Sequence, residues 1–317
     1  MQVVILNANA GAGKALRLSP ALGEWLRRHH PGVPLQLSES PYEARRALQA
    51  LPRASRVVLV GGDGSVHHLL PGLIQGGHEL ALVPAGSGDD SARALGIHGL
   101  PVGRALSRAL TGLAVPADIG WASTEHEERP FFSSLGAGFD AAVAQRALRG
   151  PSWLRGQPRY LLATLREVAA LRLFHGRVHV DDVLLHEGQL LFASTLNTAT
   201  YGGGLPAVPH ARIDDGQLNV LLAGCFSRLS TLTMLPRLMM GRHLGHAQVR
   251  TVAFEKMLIE SDTPMPLAAD GEPMQDATTV VVRVGKQVLK VVPAHDGLRA
   301  NSSRTKRTTS LSKVSTE

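Results

Sequence analysis

At 317 residues the chain exceeds what one hydrophobic core ordinarily holds, so two domains are expected. Apolar residues make up 44% and charged residues 19%, the balance of a globular protein, and no apolar run approaches the roughly 20 residues that cross a bilayer. The net charge of +7 is uneven: Arg304, Lys306, Arg307 and Lys313 against only Glu317 leave +4 for everything before them, and residues 301–317 read as a disordered basic tail.

The N-terminal apolar stretch stops after Leu6 with no cation ahead of it, too short for a signal peptide. The single cysteine, Cys225, can form neither an internal disulfide nor a metal cluster, and a cytoplasmic location is expected. Aromatic residues are too few for base-stacking platforms, so no nucleic-acid partner is expected, and the basic surface suits anionic lipid headgroups instead.

Along the first 120 residues, short apolar runs alternate with helical patterns: VVILN at 3–7, a helix at 15–29, LQLS at 35–38, a helix at 41–50, RVVLV at 56–60, a helix at 65–75, ELALV at 79–83 and a helix near 90. This alternation predicts a doubly wound parallel α/β domain over 1–121, completed by 286–300. From 122 to 285 the pattern changes to short alternating strands at 177–180, 189–196, 217–223, 249–255, 256–260 and 279–284, followed by a last strand at 288–292. A mainly antiparallel, β-sandwich-like domain is expected there, interrupted by helices at 158–172 and 228–241, with Pro236 kinking or dividing the second.

Open parallel sheets bind ligands beyond the carboxyl ends of their strands, and the chemical motifs fall at that edge. Gly61, Gly62, Asp63, Gly64 and Ser65 lie between a strand and an apolar-periodic stretch. Glycines there let backbone amides approach phosphate oxygens, while Asp63 can reach magnesium through water; a capped strand-to-helix turn uses the same letters. Pro84 to Arg93 repeats the arrangement with Ser87, Asp89 and Asp90, and Asn7, Ala8, Asn9, Ala10 and Gly11 offer a third turn. Lys14 is read as a solvated helix residue.

These turns, in this order, resemble the diacylglycerol kinase family, as do Gly136 to Asp140, Asn197 with Tyr201 to Gly204, residues 209–218 (PHARIDDGQL) and Asp270 to Glu272. The resemblance implies ATP contacts from Asn7 to Gly11, Ser38, Gly61 to Ser65 and Ser87, with Asp63, Asp90 and Asp118 in a magnesium and water network. It also implies a structural magnesium held by Arg212, Asp215 and Gln217. For catalysis it implies Glu272 as the base, oriented by Asp270 on the same strand face. The substrates implied are ATP with Mg2+ and a lipid hydroxyl at a membrane surface, met by peripheral contact; the lipid's identity and a homodimer stay open.

Two features depart from the family pattern. His67 and His68 replace Asn and Glu and read as surface or packing residues, while Asp89 adds a carboxylate that would repel phosphate. An NAD kinase-like phosphotransferase is the rival enzyme, although the chain has no Asn-Glu dipeptide; a catalytically weakened lipid-sensing module is the rival from another class. The Leu- and Met-rich stretch 228–241 is a candidate wall for an apolar lipid cleft, though Met and Leu at helical spacing by default describe a core helix.

Overall fold

The computed structural model describes residues 1–151, 154 and 157–295, so the tail and residues 296–300 lie outside it. In the first half, β1 (Gln2–Asn7), β2 (Leu35–Ser38), β3 (Arg56–Gly61) and β4 (Glu79–Pro84) are parallel in the order β2-β1-β3-β4. They are linked by α1 (Lys14–His29), α2 (Pro41–Gln49) and α3 (Asp63–Gly76), and α4 (Asp90–Ala94) and α5 (Val102–Thr111) follow.

Alternate strand residues point to opposite faces. Val3, Ile5, Val57 and Leu59 pack with Leu48 of α2 and Leu69, Leu70 and Leu73 of α3. Val4, Leu6, Val58 and Val60 pack with Leu22 and Leu26 of α1 and Leu106 and Leu110 of α5. Burial on both faces is the reason these strands read as unbroken apolar runs.

The second half comprises β5 (Val115–Ser123), β6 (Glu128–Phe131), β7 (Ser134–Ala137), α6 (Phe139–Leu148), α7 (Gln157–Ala169), β8 (Phe174–Val180), β9 (Val183–Leu190), β10 (Phe192–Leu196), β11 (Leu218–Ala223), α8 (Arg228–Met239), β12 (Val249–Phe254), β13 (Lys256–Ala269) and β14 (Glu272–Val291). Its strands pair antiparallel around a core that includes Phe131, Leu135, Val178, Leu222, Phe254, Ile259 and Val280.

The runs at 279–284 and 288–292, expected as two strands, are one. β14 pairs antiparallel with β13 and β5, shifts register between Gly285 and Leu289, and ends parallel to β4 with Val291 opposite Leu80. Gln287, at φ 53°, forms the bulge and turns its amide onto Asp118 at 2.7 Å.

The helices differ from the sequence reading in three respects. The helices α5 and α6 had no counterpart in the sequence reading: Pro101, Gly103 and Gly112 punctuate the first, and small residues, Ala141, Ala144 and Ala147, form the buried stripe of the second. Pro236 does not divide α8, which runs on to Met239. Nor is α8 a core helix: only Thr231 is fully buried, while Leu229 is 72% and Met239 69% exposed.

Candidate functional site

The three glycine turns meet at the carboxyl edge of the parallel sheet. Asn7 donates through Nδ2 to Ser65 Oγ at 2.8 Å, tying the end of β1 to the first turn of α3. A Cβ on Gly62 would lie 2.6 Å from Gly86 Cα, so the turns after β3 and β4 touch backbone to backbone and neither position accepts a side chain. A Cβ on Gly11, at φ +57°, would lie 2.2 Å from the Ala85 carbonyl oxygen, which brings the third turn against the second.

Around this junction Ala8 and Ala10 are buried, leaving only their backbone to meet a ligand, while Asn9 is exposed and donates to the Glu39 carbonyl at 2.7 Å. Ser38 is buried with its hydroxyl donating to Ser40 O at 2.7 Å, and Ser87 is exposed at the tip of its turn.

The acidic residues of the turns are held by backbone amides. Asp63 accepts from Asp90 N at 3.1 Å and Ser91 N at 2.8 Å, capping the start of α4 from outside. Asp90 in turn accepts from Thr200 Oγ1 at 2.7 Å, Gly203 N at 2.7 Å and Gly204 N at 2.8 Å. The chain of contacts from Asp63 through Asp90 to the 200–204 loop joins the two halves of the molecule. Burial pushes the Asp90 carboxyl above the usual range, opposed by the Gly203 amide and reinforced by the Asp63 charge. Burial also raises Asp89, with Asp63 adding to the effect.

From the second half, the β13–β14 hairpin arrives at the same place. Asp270 and Gly271 form its two-residue turn at φ 51° and 84°, the Asp-Gly pairing that a tight hairpin with two left-handed residues favours. The expectation of Asp270 and Glu272 on one strand face is therefore corrected: Asp270 occupies the turn and Glu272 begins the returning strand opposite Ala269. The Asp270 carboxylate accepts from Phe132 N at 2.9 Å, Ser133 N at 2.7 Å and Ser134 N at 3.1 Å, and His67 Nδ1 lies 3.1 Å from Oδ2. Glu272 Oε1 comes within 3.5 Å of where a Cβ on Gly64 would sit. The hairpin thus reaches the phosphate-type turn 61–65.

Two contributors escaped the sequence reading. Tyr160 of α7 points its hydroxyl toward the hairpin, 3.8 Å from the Cβ position of Gly271. Burial raises it above the ordinary tyrosine value, and the charges of Glu272, Asp63 and Asp90 add to that rise. A lone tyrosine in an amphipathic helix gives no signal. His67, read as surface or packing, is buried and bonded to Asp270; its place one turn beyond Gly64 was the available clue.

Asp118, expected beside Asp63, serves a different loop. It is fully buried and accepts from Gly216 N and Gln287 N, each at 2.7 Å, anchoring residues 209–217 to the β14 bulge. In that loop Arg212 grips Asp214 through Nε and Nη2 at 2.9 Å each, and Asp215 accepts from Gln217 N at 3.1 Å.

The oxygen chemistry at both places suits a hard divalent cation. Burial and the nearby charges of Asp118 and Asp214 raise Asp215, and burial with the charge of Asp63 raises Asp89 and Asp90, so each place carries negative charge that a cation would relieve. Among the described residues no group of three or more His, Cys, Asp or Glu side chains is arranged to hold a metal, so backbone carbonyls or a bound substrate would have to complete either site.

Comparison with known proteins places this arrangement. Residues 2–122 match the diacylglycerol kinase catalytic domain, and residues 133–293 match the YegS C-terminal NAD kinase beta sandwich-like domain. A diacylglycerol kinase from Mycobacterium tuberculosis is 30% identical over 261 residues, covering 81% of this chain and 84% of its own. One from Bacillus subtilis is 25% identical over 228 residues, covering 70% and 73%. The crystal structure of a diacylglycerol kinase from Bacillus anthracis str. Sterne superimposes with a TM-score of 0.70 at 18% identity, covering 92% of this chain and 96% of its own. An NAD kinase from Archaeoglobus fulgidus shares the fold more distantly, with a TM-score of 0.52 at 11% identity, covering 93% and 94%. The fold is therefore the two-part architecture of these kinases, an α/β half followed by a β-sandwich-like half. The chain belongs to the diacylglycerol kinase family.

Proposed function

We propose that this protein is a magnesium-dependent lipid kinase that transfers the terminal phosphoryl group of ATP to a lipid hydroxyl. The observation that carries the reading is the approach of the Glu272 carboxylate to Gly64, which puts a proton acceptor over the turn that would hold the triphosphate.

The roles follow from position. Asn7 to Gly11, Gly61 to Ser65 and Ser87 surround the ATP phosphates, and Ser38, whose carbonyl holds the Ala8 amide at 2.9 Å, fixes the loop between them. The lipid oxygen attacks the γ-phosphorus in line and passes its proton to Glu272. The new oxygen–phosphorus bond forms as the bond to the β–γ bridging oxygen breaks, and ADP leaves. Asp270 orients the hairpin that carries Glu272. Asp63 and Asp90 would hold a divalent cation that neutralises the phosphate oxygens, and Arg212, Asp215 and Gln217 would hold a second, structural one. The nucleotide domain comprises 1–121 with the returning chain from 286, and 122–285 is the lipid domain.

Contact with the membrane surface is supported by α7 and α8, which pack together. Leu161 and Leu165 on α7 are 56% and 46% exposed, α8 adds Leu229, Leu232 and Met239, and Met240 follows at its end. Residues 216–254 contain no Asp or Glu, while Arg228, Arg237 and Arg242 flank the apolar residues. That combination fits an anionic leaflet, and no helix among the described residues is long and apolar enough to cross the bilayer. On this reading the protein meets the membrane surface as a peripheral enzyme.

The test is incubation with labelled ATP, magnesium and lipids in mixed micelles, beside Asp63→Ala and Glu272→Gln variants. Label should enter a lipid and fall sharply in both variants; label in no lipid, or equal label in all three proteins, refutes the proposal.

A further inference from the structure

Between the 200–204 loop and the base hairpin lie two buried hydroxyls, Ser133 and Thr198, whose oxygens are 2.8 Å apart. Thr198 Oγ1 donates to Thr200 O at 2.8 Å, and a carbonyl can only accept, so the one hydroxyl proton of Thr198 is committed there. Ser133 Oγ is therefore the donor to Thr198 Oγ1.

From this pair the contacts run both ways. On one side Thr200 Oγ1 donates to Asp90 at 2.7 Å, and Asp63 accepts from Asp90 N at 3.1 Å. On the other, Ser133 N donates to Asp270 Oδ1 at 2.7 Å, and Asp270 Oδ2 faces His67 Nδ1 at 3.1 Å. Asp63 and His67 both belong to α3, about one turn apart, so the contacts form a closed ring. Gly64 follows Asp63 and Glu272 lies just beyond Asp270, so the approach of Glu272 to the phosphate-type turn is framed by that ring.

Asn197 braces the same joint. Its Nδ2 donates to Phe132 O at 2.7 Å and Asp118 O at 2.9 Å, and its amide donates to Ser133 O at 2.9 Å. Residues 132 and 133 are gripped by Asp270 through their amides and by Asn197 through their carbonyls. The other contacts of the ring end on a carboxylate or on backbone, whereas Ser133 and Thr198 meet through two neutral hydroxyls. That contact can be removed without changing charge, since valine has the shape of threonine.

We propose that Thr198 is a positioning residue for phosphoryl transfer: its hydroxyl closes a hydrogen-bonded ring that holds the Glu272 carboxylate at a fixed distance from the 61–65 turn. The proposal rests on the lipid-kinase reading with Glu272 as the base, and adds the residue that sets their spacing. Being buried, Thr198 acts through Glu272 rather than on the substrate.

The experiment reads the ring and the reaction separately in wild type, Thr198→Val, Thr198→Ser and Ser133→Ala, with thermal melting to establish that each folds. Hydrogen–deuterium exchange follows the amides of 132–134, held by Asp270, and of 203–204, held by Asp90, with β1 as the reference. In Thr198→Val both sets should exchange about tenfold or more faster while β1 keeps its rate. Thr198→Ser retains a hydroxyl that both accepts and donates and should stay near wild type, with Ser133→Ala in between. In labelled-ATP assays with magnesium and lipids in mixed micelles, kcat should fall about 10- to 100-fold in Thr198→Val with little change in KM for ATP. Thr198→Ser should recover most of that loss.

Exchange that is unchanged in Thr198→Val, or faster at one set only, overturns the proposal, as does an equal loss of kcat in Thr198→Ser. Faster exchange at both sets with kcat at the wild-type level defeats the positioning role alone. Faster exchange at both sets with no label in any lipid, in all four proteins, defeats the kinase reading and leaves the ring as the frame of the site. Should Thr198→Val not fold, Ser133→Ala is held to the same criteria.

Discussion

His67 Nδ1 and Asp270 Oδ2 lie 3.1 Å apart with both side chains buried, and this contact fastens the helix that starts at the phosphate-type turn to the hairpin that carries Glu272. The donor turn and the proposed base are thereby held in one frame. Asp270 also gathers three consecutive amides, so its replacement does more than break one contact. Asp270→Asn swaps an acceptor oxygen for a donor in front of those amides and should cost roughly 1–3 kcal/mol, the penalty of leaving buried donors unpaired. His67→Ala should lower kcat with a smaller loss of stability. Melting temperature and kcat, measured on both variants, check this.

Glu272→Gln keeps the shape of the side chain and removes its basicity. Loss of a positioned general base should reduce kcat by about 10²- to 10⁴-fold while KM for ATP and the melting temperature stay close to wild type. Steady-state kinetics at saturating lipid are the measurement.

Gly62 and Gly86 touch across the two turns, so either Gly→Ala substitution forces a backbone shift. A Cβ on Gly86 would also lie 2.5 Å from Asp89 Oδ1. Gly86→Ala should weaken ADP binding at least tenfold, since the turns would no longer present their amides together. Calorimetric titration with ADP reads the effect, and Gly77→Ala, at a helix end with nothing near its Cβ position, is the control for backbone strain alone.

The carboxyl of Asp140 is enclosed where α6 begins, with Ser194 Oγ donating to it and Ala141 N at 2.9 Å. Burial pushes it from 3.8 up to about 6 against those hydrogen bonds. Between these two values the folded state binds the proton that the unfolded chain has released, so stability falls as pH rises through the window and is level above it. Relative to Asp140→Asn, the wild type should lose on the order of 3 kcal/mol between pH 4 and pH 6.5, measured as denaturant stability across pH.

Exposed apolar residues on α8 predict their own test. Leu229→Asp and Met239→Asp should leave stability within about 0.5 kcal/mol, because neither side chain packs in the core. Co-sedimentation with vesicles containing anionic lipid should fall several-fold in each. Unchanged sedimentation would remove α8 from the membrane contact.

Much of the first half was legible in sequence for a physical reason. Strands buried on both faces must be apolar throughout, so β1, β3 and β4 stand out as runs, and turns that touch backbone to backbone must be glycine, so GGDGS and AGSGDD stand out between them. The helices α5 and α6 were not legible, because glycine and proline border the one and alanines make the buried stripe of the other. For α8 the residue spacing encoded an apolar surface without encoding what covers it.

The sequence by itself determined the family, the parallel α/β start and the identity of the acidic and glycine-rich segments, since local backbone demands and strand burial act through neighbours in the chain. Only the tertiary structure decided what those carboxylates do. Asp270 meets amides 136 to 138 residues away, Asp90 meets a loop more than a hundred residues on, and Asp118 holds a bulge 169 residues distant. A buried carboxylate takes its partners from whatever backbone the fold brings to it, and that convergence has no signature in the order of the residues.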